Sequence, residues 1–339
     1  MKGIGDFLFR NLIVVVLMLL SLPGISQLAT EHYIPPVYPS THGWTYPREQ
    51  SVYISTPSVA PVPYTIKNGA GVVLSSGTVS NASPVEFRMS AFNNVAGQPA
   101  PFVVQDAQLN TVIPDRGLHI QADDEVYVNI RANAGGGSRP NATSLTSKGY
   151  AALGQAFRVG HYINPQSTQF NNSFGTKSSF ASIIATEDNT NVQIDLTGHD
   201  LLLQGTPNVN ANGVVNITLN KGESYVVAIK NQTAPNRNPG RGFIGAAITS
   251  DKDIAVNSGS WGGNRRGNYH ATNNPYGVVD IGIDQLAPFK NVGSGWCAVW
   301  ASCVGIKRTS KGGRYRPVNS RGALWASQVG LIGHKKGAD

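Results

Sequence analysis

Short stretches of the chain alternate between apolar and polar residues with a period of two. The pattern is clearest in residues 126–131, 191–195 and 215–219. Because successive side chains of a strand point to opposite faces, this period predicts strands with one buried and one exposed face. Gly, Pro, Asn, Ser and Thr are abundant and charged residues are sparse, a composition that favours short strands and turns over long helices, so helix is expected to be minor.

Clusters of Gly, Asn and Asp separate these stretches. Residues 67–71, 188–190, 220–223 and 251–253 carry such clusters and are predicted turns, since these residue types adopt tight-turn backbone angles. Many short strands joined by turns are typical of antiparallel β-sandwiches. The first sandwich is expected over about residues 51–131 and the second over about residues 179–260.

The chain also repeats itself. Residues 117–129 (GLHIQADDEVYVN) are echoed by residues 245–257 (GAAITSDKDIAVN), and residues 54–56 (IST) are echoed by residues 184–186 (IAT). So long an interval between copies indicates duplicated domains and not a solenoid. The predicted fold class is therefore all-β, with two tandem antiparallel β-sandwich-like modules.

The first residues have the pattern of a signal peptide. Lys2 and Arg10 flank the apolar residues 12–20, and small residues follow up to Ser26, where cleavage is predicted. An uncleaved anchor is the alternative, but the apolar run is shorter than the roughly 20 residues of a spanning helix. No later stretch is apolar enough to span a bilayer, so we expect a secreted or cell-surface protein.

Composition changes abruptly after Ser294. Both cysteines, Cys297 and Cys303, lie beyond it, and eight basic residues against the single Asp339 give this tail a net charge of +7. Two interpretations are open: a basic segment that contacts polyanions, or a reading-frame change or misjoined gene end, which we favour. Because the basic balance comes from the tail, nucleic-acid binding is not expected of the body.

The domain prediction follows from these boundaries. It comprises a signal peptide at 1–26, a first β-module with an N-terminal extension at 27–145, a second β-module with connecting segments at 146–294, and a basic tail at 295–339 that is out of frame or a truncated third module.

Six segments in order resemble the N-terminal domain shared with IgG-Fc-binding protein. They are residues 29–36 (ATEHYIPP), 145–149 (LTSKG), 184–190 (IATEDNT), 219–225 (LNKGESY), 256–261 (VNSGSW) and 280–286 (DIGIDQL). This family occurs in large secreted bacterial surface proteins that often end in a gliding-motility or sorting module. The resemblance implies an extracellular, β-rich, adhesive or scaffolding region between Ala29 and Ser294. No residue motif here matches Fc binding itself, so that activity is not transferred.

The sequence contains little that indicates catalysis or metal binding. Its seven histidines are scattered without the short spacings of zinc sites, and neither a nucleophile elbow nor a phosphate loop is present. The acidic residues 123–125 and 251–253 could supply calcium ligands but lack the pattern of a calcium loop, so a shared turn is the preferred interpretation. No metal, cofactor or catalytic residue is predicted.

The best candidate for recognition is the segment after the second module. Glycines there are mixed with Trp261, Arg265, Arg266, Tyr269 and His270, which can stack on sugars or pair with carboxylates. The corresponding loop of the first module is residues 133–139. The alternative is that both are ordinary exposed connections.

The predicted function is a secreted, non-enzymatic adhesion or scaffold protein that binds an extracellular protein or glycan through loops of its β-modules. The rival hypothesis is an exported carbohydrate-active or peptide hydrolase whose catalytic residues are too dispersed to recognise. A purely architectural role is a third possibility.

Overall fold

The computed structural model describes residues 27–39, 46–92, 96–135, 141–161, 178–199, 201–205, 209–230, 242, 244–264 and 279–289. The predicted signal peptide and the basic tail lie outside these ranges. The chain divides into two compact units, Met1–Pro288 and Phe289–Asp339. The strands described below all belong to the first unit.

The described residues form seventeen strands and two short 3-10 helices, Asp106–Gln108 and Gly149–Ala152. The strands are β1 (Ala29–Ile34), β2 (Pro47–Ser55), β3 (Val62–Asn68), β4 (Val73–Val79), β5 (Val85–Met89), β6 (Val112–Ile113), β7 (Leu118–Ala134), β8 (Asn141–Thr146), β9 (Gly154–Arg158), β10 (Ser178–Ala185), β11 (Thr190–Asp195), β12 (Leu201–Leu203), β13 (Val209–Ala211), β14 (Val214–Leu219), β15 (Ser224–Lys230), β16 (Ala247–Asn264) and β17 (Val279–Gln285).

The first sheet is organised around the 17-residue strand β7. Its strands run in the order β4-β3-β7-β2-β5, and β1 and β8 also pair with β7. The N-terminal half of β7 pairs with β1 and β3, and its C-terminal half pairs with β2 and β8. Because one long strand serves both sets of neighbours, the sheet curls into a barrel-like module.

The second sheet repeats this arrangement around β16, which has 18 residues. Its order is β14-β11-β16-β10-β15-β6, and β9 and β17 also pair with β16. The N-terminal half of β16 pairs with β9 and β11, and its C-terminal half pairs with β10 and β17. β12 and β13 form a separate two-stranded sheet. The predicted fold class, two antiparallel β-modules, is confirmed.

Register shows how closely the two modules correspond. Ala29 of β1 pairs with Val126 of β7, and Gly154 of β9 pairs with Ile254 of β16. Both pairings are then interrupted by a register shift at the same point of the central strand. The glycines that precede the two central strands, Gly117 and Gly245, have φ of 99° and 90°, a region that favours glycine. The repeated sequence therefore encodes a repeated backbone path.

One predicted turn is wrong in both copies. Residues 123–125 lie inside β7 and residues 251–253 lie inside β16, with mostly exposed side chains. In this stretch each central strand exchanges one set of pairing strands for the next. Its polar side chains face solvent there, while the backbone stays extended and does not turn. The other three predicted turns are confirmed, with Asn189 at φ 53° and Gly222 at φ 84°.

β10 is buried at all eight positions, unlike an ordinary half-exposed strand. Ala181 and Ile183 belong to the core of the second module. On the opposite face, Phe180 belongs to a core that contains residues of both modules, and Ile184 packs in a cluster with Tyr33 of β1. At β10, one face of the second sheet is thus covered by the core of its own module, and the other face is covered by the first module.

The backbone also crosses between the modules. β6 belongs to the chain segment between β5 and β7, yet it pairs with β15 at the edge of the second sheet. Beside it, a Cβ added to Gly222 would lie 2.1 Å from the carbonyl oxygen of Gly69. Only glycine permits so close an approach of the two turns.

A buried polar network completes the junction between the modules. The Gln285 side-chain amide donates to the Tyr33 carbonyl oxygen at 2.7 Å, while its Oε1 accepts from the Ser147 hydroxyl at 3.2 Å and the Lys148 backbone N–H at 2.7 Å. Asn257 donates to the Pro35 carbonyl oxygen at 2.7 Å. Gln285 and Asn257 have no exposed surface. Buried amides need such partners, so these bonds fix the two modules in one arrangement.

Sheet membership changes between β8 and β9, close to the predicted division at residues 145 and 146. The exchange of β6 and the shared core nevertheless make Met1–Pro288 one compact unit.

Replacing Gln285 by leucine should destabilise the whole body. The change leaves the Tyr33 carbonyl, the Ser147 hydroxyl and the Lys148 N–H without their buried partner, at a cost of about 3 kcal/mol or more. Urea unfolding of Gln285→Leu and of the control Gln193→Leu, at an exposed position of β11, measures this difference. Equal stabilities of the two variants would show that the network contributes nothing.

Candidate binding site

The structure corrects the predicted position of Trp261. This residue lies in β16, where it pairs with Ser178 of β10 and Ile281 of β17, and none of its surface is exposed. It belongs to the core shared by the two modules. The glycine-rich composition around Trp261 suggested a loop, but the strand continues to Asn264.

The burial of Trp261 changes how its substitution must be interpreted. Truncating a fully buried tryptophan removes core packing, an effect of about 3–5 kcal/mol in typical cores. Loss of binding by Trp261→Ala would therefore report on folding and not on contact with a ligand.

The remaining predicted contact residues, Arg265, Arg266, Tyr269 and His270, lie outside the described residues. Residues 265–278 join β16 to β17, whose ends pair Asn264 with Val279. Residues 135–140 join β7 to β8, whose ends pair Ala134 with Asn141. The two segments are thus equivalent connections in the order of the strands, although residues 133 and 134 of the predicted first-module loop lie in β7.

The described residues contain no group of three or more His, Cys, Asp or Glu side chains placed to hold a metal ion. The acidic residues of β16 have a local role instead, because the Asp251 carboxylate accepts from the Asn191 backbone N–H at 2.8 Å and from its side chain at 2.7 Å. In β7, Asp124 accepts from the Glu125 backbone N–H.

A surface cleft of about 390 Å³ lies in the first module, between β1, β3, β7 and the helix Gly149–Ala152. We call it the β1–β3 cleft. It is lined by Thr30, Glu31, Pro63, Tyr64, Thr65, Gln121, Ala122, Asp123 and Tyr150. Some of these residues lie in the repeat 117–129 and in the segment 29–36, but no sequence pattern brought them together, because they come from separate strands and meet only through the antiparallel pairing of the sheet.

Glu31 is held by its neighbours on the central strand. Its Oε1 accepts from the Gln121 side-chain amide at 2.9 Å and lies 3.7 Å from His119 Nε2. The Lys67 ammonium donates to Gln121 Oε1 at 2.8 Å, which orients the amide toward Glu31. This chain of contacts fixes the carboxylate at the wall of the cleft.

His119 lies behind Glu31. Its ring stacks on that of Tyr33 with centroids 4.2 Å apart. Burial lowers the pKa of His119 to about 4, against the opposing influence of Glu31. Burial likewise raises the pKa of Tyr33 to about 12. At neutral pH this pair is uncharged, so His119 does not neutralise Glu31.

The second module has no counterpart of this cluster. At the register positions of Glu31, Tyr64 and His119 it carries Ala156, Val192 and Ala247. The same backbone therefore forms without a carboxylate, a phenol or an imidazole at these positions.

The family model described as IgGFc binding protein matches residues 142–319, a little over half of the 339-residue chain. The chain belongs to the IgGFc-binding protein family. The family match covers β9 to β17 and continues beyond Ser294, whereas the equivalent first module lies mostly ahead of it. A search of curated proteins found no match.

The segments that carry the resemblance to the IgGFc-binding family converge at the junction of the modules. Each of the six supplies a junction residue: Tyr33, Ser147, Ile184, Ser224, Asn257 and Gln285. The sequence resemblance identified the six segments but gave no indication of their structural role. Ser147, Ser224, Asn257 and Gln285 are polar residues that would be expected at the surface, yet they are buried.

No helix among the described residues has the length and apolar character needed to cross a membrane.

Replacing His119 by alanine should weaken the acid sensitivity of the fold. A histidine with pKa near 6.5 when unfolded and about 4 when folded takes up its proton more readily in the unfolded chain. Its contribution to stability is thus present above pH 6.5 and is lost as the pH falls toward 4. Alanine occupies the equivalent position 247, so the backbone accepts it.

The measurement is the free energy of unfolding in urea at pH 7 and at pH 4. The wild type should lose about 2 kcal/mol more than His119→Ala over this interval. The same loss in both proteins would contradict the role assigned to His119.

Proposed function

We propose that the chain is an exported, non-catalytic binding or scaffold protein that acts outside the cell. The observation that carries this proposal is the family match, because the matching family is described by binding and not by catalysis. Export is proposed from the N-terminal pattern of Lys2, Arg10 and the apolar residues 12–20. The bacterial surface and gliding-motility context rests on the sequence resemblance.

The proposed mechanism is contact through connections held by a rigid framework. Trp261 anchors the C-terminal part of β16 in the shared core, so the segment 265–278 starts from a fixed point. Arg265 and Arg266 can pair with carboxylates or sulfates, and Tyr269 and His270 can stack on sugar or aromatic rings. The equivalent connection 135–140 offers a second contact surface.

The partner class that fits these groups is an extracellular protein or a glycan. The description of the family makes the Fc fragment of immunoglobulin G one protein to test. Acidic glycans are the second class, because two adjacent guanidinium groups favour anionic ligands.

The test measures binding of the full-length exported chain to immobilised IgG Fc and to a glycan array. Substituting Arg265, Arg266, Tyr269 and His270 together by alanine should weaken the binding by at least about tenfold without lowering the melting temperature. The matched control is Tyr127→Ala with Arg158→Ala, which removes an exposed tyrosine and an exposed arginine from strands outside both connections and should leave binding unchanged.

Wild-type binding that survives the fourfold substitution would move the contact away from residues 265–278. Absence of any binding together with turnover of polysaccharide or peptide substrates would overturn the proposal in favour of an exported hydrolase.

A further inference from the structure

We infer that Ser147 and Gln285 form an intramolecular ester, a covalent cross-link between the segment that follows β8 and strand β17. The Ser147 hydroxyl oxygen attacks Cδ of Gln285 and forms the new C–O bond, and the amide C–N bond breaks with release of ammonia. The hydroxyl proton passes by way of His32 to the departing nitrogen, so no oxidant or other reactant is needed. The reaction occurs once in each chain and turns over no external substrate, so it goes beyond the proposed function without altering it.

The nucleophile and its base are in contact. Ser147 Oγ lies 2.9 Å from Nδ1 of His32, within the reach of about 2.6–3.2 Å expected of such a pair. The other ring nitrogen, Nε2, lies 3.1 Å from the Val126 carbonyl oxygen and 3.2 Å from that of Ala29. Because carbonyl oxygens only accept, Nε2 carries the proton of the neutral ring, and Nδ1 accepts from the Ser147 hydroxyl. Burial lowers the pKa of His32, which keeps the ring in this basic form.

The carboxamide of Gln285 is placed as the electrophile. Its Oε1 lies 3.2 Å from Ser147 Oγ. Since a C=O bond is about 1.23 Å long, Cδ lies within about 4.4 Å of Oγ, and a shift of about 1 Å gives the roughly 3–3.5 Å of a reactive contact. The Lys148 backbone N–H donates to the same Oε1 at 2.7 Å, where it stabilises the negative charge that develops on this oxygen during attack.

These groups are sealed from solvent. His32 and Gln285 have no exposed surface, and Ser147 is 1% exposed. An external substrate therefore does not reach the hydroxyl, and water does not compete with it or hydrolyse the product. Among the described residues, the carboxamide in contact with Ser147 Oγ is that of Gln285. The serine–histidine pair is thus directed at a group inside the protein.

The fold does not require this pair. Strand register and the backbone bonds to the central strand place Leu286 of the second module at the position of Ser147, and Phe157 at the position of His32. Both are buried apolar residues. A hydroxyl and an imidazole cost more to bury than apolar groups. The first module therefore carries them for a reason other than the shared backbone.

The product retains the junction between the modules. Oε1 of Gln285 becomes the ester carbonyl oxygen and keeps its hydrogen bond from the Lys148 N–H. The departing nitrogen gives up its hydrogen bond to the Tyr33 carbonyl oxygen, and a covalent bond between the same two segments replaces it. A cross-link between positions so far apart in sequence restricts the unfolded chain, so the ester stabilises the folded body.

The test is a peptide map of the full-length exported chain by mass spectrometry. The wild type should yield one fragment in which the peptides of Ser147 and Gln285 are joined, about 17 Da lighter than their sum because ammonia has left. Intact mass alone does not decide, because Gln27, if exposed by cleavage after Ser26, also loses ammonia on cyclisation. Alkaline hydroxylamine, which cleaves esters more readily than amides, should separate the two peptides of the isolated fragment.

Two variants test the assigned roles. Ser147→Ala removes the nucleophile and should abolish the joined fragment, and His32→Gln removes the base and should slow its formation by about a hundredfold or more. The matched control is Ser144→Ala, an exposed serine of the same peptide, which should leave the link unchanged.

Separate, unmodified peptides of Ser147 and Gln285 in the wild type would overturn the inference, as would a joined fragment that persists in Ser147→Ala. If the variants fail to fold, the wild-type peptide map and its response to hydroxylamine still decide the question.

Discussion

The arrangement of the two modules depends on the buried side chain of Gln285. It lies at the end of β17 in the second module and is bonded to Tyr33, Ser147 and Lys148 of the segments that begin and follow the first module. An amide in such a place is costly unless each of its groups has a partner. Its bonds are satisfied in one relative position of the modules, which therefore specifies that position as well as stabilising it.

Apolar packing makes the same arrangement necessary. One face of β10 and β16 presents Phe180 and Trp261 to the first module, and both side chains lack exposed surface. Separation of the modules would expose this face to water, and burial of large aromatic groups contributes several kcal/mol. The duplicated units are thus halves of one body. The surfaces of the two modules consequently have a fixed orientation relative to each other.

Several residues of this junction lie in the segments that carry the family resemblance. Polar residues such as Ser147, Asn257 and Gln285 are ordinary surface residues by composition, yet here they are buried contacts. They lie in the segments of this chain that resemble the IgGFc-binding family.

Local sequence patterns predicted the parts of the fold that local physics determines. Alternation identified β11 and β14, and the repeat of residues 117–129 at 245–257 predicted two equivalent modules, because the same neighbours in sequence form the same strand. The turn predicted at 251–253 was wrong, since pairing with β11 up to Ser250 and with β9 and β10 from Ile254 holds the strand on both sides of these residues.

Positions that depend on distant partners could not be predicted. Trp261 lies in a glycine-rich stretch typical of loops, and only the packing of the first module onto β16 shows that it is buried. β10 lacks alternation because both of its faces are covered. The β1–β3 cleft combines residues up to about 120 positions apart, as the Thr30–Tyr150 contact shows. Pairwise register, and not composition, creates these sites.

The most direct measurement of the rigid junction is differential scanning calorimetry of the full-length chain. If the shared core and the Gln285 network join the modules, the body should unfold in one transition whose calorimetric and van't Hoff enthalpies agree. Two separate transitions, each with the enthalpy of a single module, would contradict this and show that the modules fold independently.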